Sequence, residues 1–119
     1  MAGAHEELVE SLMLEASRMG GRLFKNHSGV AFHKDGSTVV YGVANPGGSD
    51  LLGFTIVEIT QDMVGSKVAV FTAVEAKTGQ QKPRKNQQDF LDMVVRKGGI
   101  SAWGTDVANI MNKVVNWRP

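Results

Sequence analysis

The chain has 119 residues, of which 42% are hydrophobic and 21% charged, and its net charge is +1. This composition is typical of one globular domain, and the near-neutral charge excludes a general electrostatic attraction to nucleic acid. Because the chain has no cysteine, disulfides, zinc–thiolate centres and cysteine nucleophiles are excluded as well.

The N-terminal segment is acidic and the chain lacks long apolar runs. Glu6, Glu7 and Glu10 do not fit a signal peptide, and no apolar run approaches the roughly 20 residues of a membrane span. We therefore expect a soluble, cytoplasmic protein with no membrane partner.

The first third of the chain predicts one helix and three short strands. A helix is expected over residues 4–19, because Leu8, Leu12, Ala16 and Met19 recur at helical spacing. Gly20-Gly21 is a typical helix end. The strands are expected at residues 22–26, 30–34 and 37–41, with Asp35-Gly36 as the turn of a hairpin.

Two longer strands are predicted next, at residues 50–60 and 67–77. The connection between them is short, which favours an antiparallel hairpin. Such a hairpin would bring Asp50 beside Glu75. Residues two apart on a strand share a face, so Glu75 and Lys77 should point to the same side. Two carboxylates and an ammonium at one sheet edge are what a phosphodiesterase dependent on Mg²⁺ or Mn²⁺ requires.

The last third predicts a helix, a strand and a helix. Pro83 suits the first turn of a helix that ends at Gly98-Gly99, and an apolar strand is expected at residues 100–103. Thr105 or Asp106 then caps a helix that runs through Val115. No domain boundary is visible, so we predict a single α/β domain over residues 1–119.

Three stretches of the sequence resemble a known family. They are Gly-Gly-Ser-Asp-Leu-Leu-Gly at 47–53, Val-Glu-Ala-Lys-Thr-Gly at 74–79, and a helix with Gln87 three residues before Phe90 that ends in Gly-Gly. Together with Leu-Phe-Lys-Asn-His-Ser-Gly at 23–29, they resemble the virus-type replication-repair nuclease family of the PD-(D/E)XK nuclease superfamily. The resemblance extends from about residue 5 to 110.

The resemblance implies a fold and a set of roles. The fold would be restriction-endonuclease-like, a mixed β-sheet flanked by α-helices. Asp50, Glu75 and the carbonyl of Ala76 would bind Mg²⁺ or Mn²⁺, Lys77 would act on the attacking water or the phosphate, and Gln87 would position the water or the lysine. The first helix should add one acidic metal ligand, for which helical geometry favours Glu6, with Glu7 in reserve.

Roles are also expected for the remaining basic, histidine and tryptophan residues. DNA phosphate contacts are expected from a basic set that consists of Lys25, Asn26, Lys82, Arg84 and Lys85. The three histidines, His5, His27 and His33, lack a metal-ligand spacing. The two tryptophans, Trp103 and Trp117, are interpreted as core or subunit-contact residues rather than as platforms for base stacking.

Each site residue also has a purely structural interpretation. Asp50 could bond to its own turn, Glu75 and Lys77 could form a surface ion pair, and Gln87 could be an ordinary boundary residue. The acids of the first helix could simply complement the helix dipole.

By resemblance, the protein would be a metal-dependent deoxyribonuclease. Small members of this family act as homodimers on branched DNA such as four-way (Holliday) junctions, in phage or bacterial DNA repair. A non-catalytic DNA-binding or dimerisation module with the same fold is the main alternative. A small-molecule hydrolase with the same metal site is a further one.

Overall fold

The computed structural model describes residues 3–119, which form a mixed α/β structure, as the sequence predicted. These residues contain three α-helices and three two-stranded sheets. In chain order, the elements are α1 (Ala4–Arg18), β1 (Arg22–Lys25), β2 (Gly29–Phe32), β3 (Thr38–Tyr41), β4 (Leu51–Phe54), β5 (Thr72–Ala76), α2 (Lys85–Arg96), β6 (Ile100–Gly104) and α3 (Val107–Val115). Within this range, no helix combines the length and the apolar character that a membrane crossing needs.

Contacts between residues define two compact units, one up to Ile56 and one from Val57 onward. We call them the N-terminal unit and the C-terminal unit and describe each by itself. The prediction of a single domain over residues 1–119 stays a prediction.

In the N-terminal unit, α1 packs against β1 and ends as expected. Gly20 has a φ of +88°, and the amides of Gly20 and Gly21 donate to the carbonyls of Ser17 and Ala16. These two bonds form a Schellman motif, which satisfies carbonyls that the helix end would otherwise leave free.

The buried stripe of α1 is displaced from the predicted one. Val9 is buried, and Glu6, Met13 and Ala16 are partly covered, whereas Leu8 and Leu12 are exposed. The helical period was correct, but the direction of the inward face was wrong by about one residue. Period alone does not fix that direction when apolar side chains occupy two adjacent stripes.

The other strands of the N-terminal unit form two antiparallel pairs. β2 and β3 form the predicted hairpin, in which Gly36 has a φ of +88° and the Asp35 carboxylate accepts from the amide of Ser37. The Ser37 hydroxyl also donates to this carboxylate, and the hydroxyl and the backbone amide, in that order, lower the pKa of Asp35. β4 pairs with β1, with Arg22 opposite Phe54 and Lys25 opposite Leu51.

In the C-terminal unit, β5 and β6 are parallel and are connected by α2, which packs against both strands. Leu91 and Val94 of α2 and Ala102 of β6 form its buried core. α3 also packs against β6. Asp106 is its N-cap and accepts from the amide of Asn109, which lowers the pKa of this carboxyl group.

The predicted hairpin of residues 50–60 with residues 67–77 is wrong. β4 ends at Phe54 and β5 begins only at Thr72, and these strands pair with β1 and β6. Apolar alternation indicates that a strand exists, but it carries no information about which strand provides the hydrogen-bonding partner.

Candidate active-site residues

Glu75, Lys77 and Gln87 form a connected network in the C-terminal unit. The Lys77 ammonium donates to the Gln87 side-chain oxygen at 2.9 Å and lies 3.3 Å from Glu75 Oε1. The Gln87 side-chain nitrogen donates to the same Glu75 oxygen at 3.0 Å. The side chain of Lys77 is 13% exposed and that of Glu75 29% exposed, so water screens this ion pair only partly.

The backbone explains why these three side chains meet. Glu75 is on β5, and Lys77 continues the ladder beyond it, because its amide donates to the carbonyl of Gly104 at 2.9 Å. Gln87 is the third residue of α2, and its side-chain oxygen also accepts from the amide of Arg84, the N-cap, at 2.9 Å. Gln87 therefore caps the helix and contacts the Glu75–Lys77 pair at the same time.

These contacts also determine which way the Gln87 amide faces. Its oxygen has two donors as neighbours, an ammonium and a backbone N–H, while its nitrogen faces a carboxylate. The reverse orientation would place donors against donors. Its neighbour Gln88 bonds instead to Asp92 on its own helix.

Asp50 is in the N-terminal unit, at the end of a loop that Asn26 organises. The Asn26 amide donates to the carbonyls of Val43 and Ser49 and accepts from the backbone amide of Val43. The backbone amide of Asn26 donates to the Asp50 carbonyl. A side chain on Gly48 would overlap the carbonyl of Val43, which gives this glycine of the Gly-Gly-Ser-Asp stretch a steric role.

The partner of the Asp50 carboxylate is His5. The His5 Nε2 atom lies 3.1 Å from Asp50 Oδ2, and both side chains are 71% exposed. His5 is not among the site residues predicted from the sequence. Its only signal in the sequence was its place on α1, in helical register with Leu8 and Leu12, because a separation of 45 positions hides its contact with Asp50 from any local pattern.

Glu6, the selected acid of α1, is bound to a lysine. Lys25 donates to Glu6 Oε1 at 2.9 Å. This bond and the charge of Lys25 lower the pKa of Glu6, and the same contact raises the pKa of Lys25. Glu6 lies on the partly covered face of α1, whereas Glu7, the reserve, is exposed.

Some of the expected DNA-contact residues already have partners within the protein, and others do not. Lys25 binds Glu6, Lys85 binds Asp89 on its own helix, and the Asn26 amide holds the loop described above. Lys82 and Arg84 have no carboxylate partner within residues 3–119.

The carboxylates retain oxygen atoms that could bind a cation. Glu75 uses Oε1 for Lys77 and Gln87, and its Oε2 accepts no hydrogen bond from any described residue. Asp50 likewise uses only Oδ2. Free carboxylate oxygens suit hard ions such as Mg²⁺ and Mn²⁺. No group of three or more His, Cys, Asp or Glu side chains poised for a metal is present among the described residues.

No family model matches the chain, and neither does any curated protein or solved structure.

Proposed function

We propose that the protein is a Mg²⁺- or Mn²⁺-dependent deoxyribonuclease with a restriction-endonuclease-like fold, of the virus-type replication-repair kind. The observation that carries the proposal is the Glu75–Lys77–Gln87 network. A carboxylate with one free oxygen, a sheltered lysine and an amide that binds both are the groups that metal-assisted phosphodiester hydrolysis uses. The family resemblance supports the same assignment.

Each residue has a separate role in this proposal. By resemblance, the oxygen ligands proposed for Mg²⁺ or Mn²⁺ are the carboxylates of Asp50, Glu75 and Glu6 and the carbonyl of Ala76. When bound, the cation supplies Lewis acidity toward the phosphate. Lys77 stabilises negative charge at the phosphate or orients the attacking water. Gln87 and Glu75 Oε1 together keep the Lys77 ammonium in place.

The proposed substrate is branched DNA, with the four-way junction preferred, and the active form is a homodimer in a bacterial or phage-infected cell. Two copies related by a two-fold axis would present two active sites, which suits symmetric cutting of two strands. The resemblance and the small size of the chain support this part of the proposal.

The first prediction concerns Lys77. Purified protein should cut a labelled four-way junction in Mg²⁺ or Mn²⁺ but not in EDTA. Lys77→Ala should reduce the cleavage rate about 100-fold or more, because the ammonium group that stabilises negative charge at the phosphate is removed. The assay includes a 5′ flap and a linear duplex. Lys67→Ala is the matched control, since Lys67 is an exposed lysine of the same unit with no ion-pair partner within residues 3–119.

The same preparations test the metal ligands. Asp50→Asn and Glu75→Gln should each weaken Mn²⁺ binding in calorimetry, and unchanged binding in both would refute their assignment.

In the cleavage assay, cutting of the flap or the duplex but not of the junction would support a nuclease and contradict the proposed preference for four-way junctions. Tight junction binding without cutting would instead favour the non-catalytic DNA-binding module.

A further inference from the structure

The C-terminal unit contains an open groove of about 640 Å³ that the proposed reaction does not use. It lies where β5 and β6 end, between the loop that follows β5 and the first two turns of α3. Open parallel sheets commonly bind ligands beyond the carboxyl ends of their strands. The volume is in the range of small-molecule sites.

The groove is basic and has an aromatic wall. Lys82 and Lys113 line it, together with amide and hydroxyl side chains that include Gln80, Asn109 and Thr105. Trp103, which the sequence indicated as a core or subunit-contact residue, also lines it and is only partly buried. None of its lining residues is acidic. Asp106 follows the lining residue Thr105 in the chain, and its carboxylate already accepts from the backbone and side chain of Asn109.

Lys113 is held at the tryptophan. Its ammonium donates to the Trp103 carbonyl at 3.0 Å and lies 5.7 Å from the centre of the indole ring. An ammonium has three N–H groups, so this contact leaves others for a ligand. Lys82 has no ion-pair partner among the described residues. The groove is therefore lined by the held ammonium of Lys113, the unpaired ammonium of Lys82 and the indole ring of Trp103.

The groove is adjacent to the Glu75–Lys77–Gln87 network. Trp103 and Glu75 are register partners on neighbouring parallel strands, so their side chains leave the sheet on the same face. Strands in a sheet are about 5 Å apart. A chain of linked nucleotides with a phosphate at Lys77 would therefore have its next nucleotides within reach of Trp103.

We propose that this groove binds an unpaired nucleotide of a DNA strand, with its base against Trp103 and its phosphate between Lys82 and Lys113. Indole stacking accepts any base, and ammonium groups bind phosphate without reading sequence. The proposal rests on the proposed nuclease function and adds a reason for a preference for branched DNA, because bases at a branch point can leave the stack.

Binding is measured by fluorescence anisotropy on the full chain in EDTA, which separates binding from cleavage. The probes are a labelled single-stranded oligonucleotide and the same sequence as a blunt duplex. Trp103→Ala should weaken single-strand binding about 5- to 150-fold, and Trp103→Phe should restore most of it. Lys82→Ala and Lys113→Ala should each lower the slope of log affinity against log salt by about 1. Lys67→Ala again serves as the control.

The lysine variants keep the test decisive even if Trp103→Ala fails to fold, because both lysines are exposed. Single-strand binding by both variants that equals that of Lys67→Ala would overturn the groove and leave the nuclease untouched. If the two lysine variants lose single-strand binding but the wild-type protein never cuts DNA, the nuclease proposal is refuted and the nucleotide-binding groove is kept. A free deoxynucleotide should compete only weakly, and tight binding of that nucleotide alone would overturn the assignment to a DNA strand.

Discussion

At the scale of single residues, Gln87 makes the most informative contacts. Its amide bonds to Lys77, Glu75 and the amide of Arg84, so one side chain fixes both the lysine and the start of α2. An ordinary capping residue would need only the last of these bonds. Gln87 is therefore a positioning residue in the proposed reaction.

Gln87→Ala should lower kcat by about 10- to 100-fold and leave the KM for DNA nearly unchanged, because a displaced lysine affects the transition state more than binding. Steady-state cleavage of the junction measures both constants. Gln88→Ala is the matched control, since Gln88 is the next residue of α2 and its side chain donates to Asp92, away from the Glu75–Lys77–Gln87 network. A change in KM alone would assign Gln87 to substrate binding instead.

Single residues also show what the sequence could and could not predict. Strand alternation, a local rule, predicts that Glu75 and Lys77 share a face, whereas only the family resemblance placed Gln87 near them. The contact of His5 with Asp50 joins residues 45 positions apart and depends on how a loop folds. Local rules do not reach it.

At the scale of elements, α2 stabilises the C-terminal unit through two side chains. Leu91 is 5% exposed and Val94 is the most deeply buried residue described, whereas Val95 on the same helix is 56% exposed. The spacing of Leu91 and Val94 matches the 3.6-residue period of an α-helix.

Leu91→Ala should lower the free energy of unfolding by about 2–5 kcal/mol, because it leaves a cavity between α2 and the β5–β6 pair. Urea denaturation followed by circular dichroism measures the change. Val95→Ala should cost less than half as much, since its side chain is already in water. Equal effects of the two substitutions would show that the buried face of α2 is assigned wrongly.

The elements themselves were more predictable than their partners. The helix ends at Gly20 and Gly98 were predicted from residue chemistry, and the cap of α3 was narrowed to Thr105 or Asp106, of which Asp106 is the N-cap. The partners of β4 and β5 did not, because strand pairing is decided by tertiary packing.

At the scale of the whole molecule, the β2–β3 hairpin has apolar side chains exposed on both faces. Val30 is opposite Val40 on one face, and Ala31 is opposite Val39 on the other. All four are exposed, and Phe32 is 78% exposed. A two-stranded hairpin is marginal in water by itself. The expected homodimer would cover such a surface with a second copy of the chain.

Light scattering across a concentration series should give the mass of a dimer, and Val40→Lys should shift the protein toward monomer, because a charge replaces an apolar contact. Lys34→Ala, near the turn of the same hairpin, should leave the dimer intact. A wild-type chain that stays monomeric at every concentration would refute the homodimer.

Gln87 both caps α2 and bonds to Glu75 and Lys77, and this limits which residues can replace it. Glutamate and glutamine are the two residues that suit the third position of a helix in a capping box. Glutamate would set a second carboxylate against Glu75, so the two like charges would repel, and it would lose the side-chain N–H that donates to Glu75. In natural or laboratory evolution, glutamine should therefore persist at position 87 for as long as the glutamate and the lysine persist, and the three should be lost together.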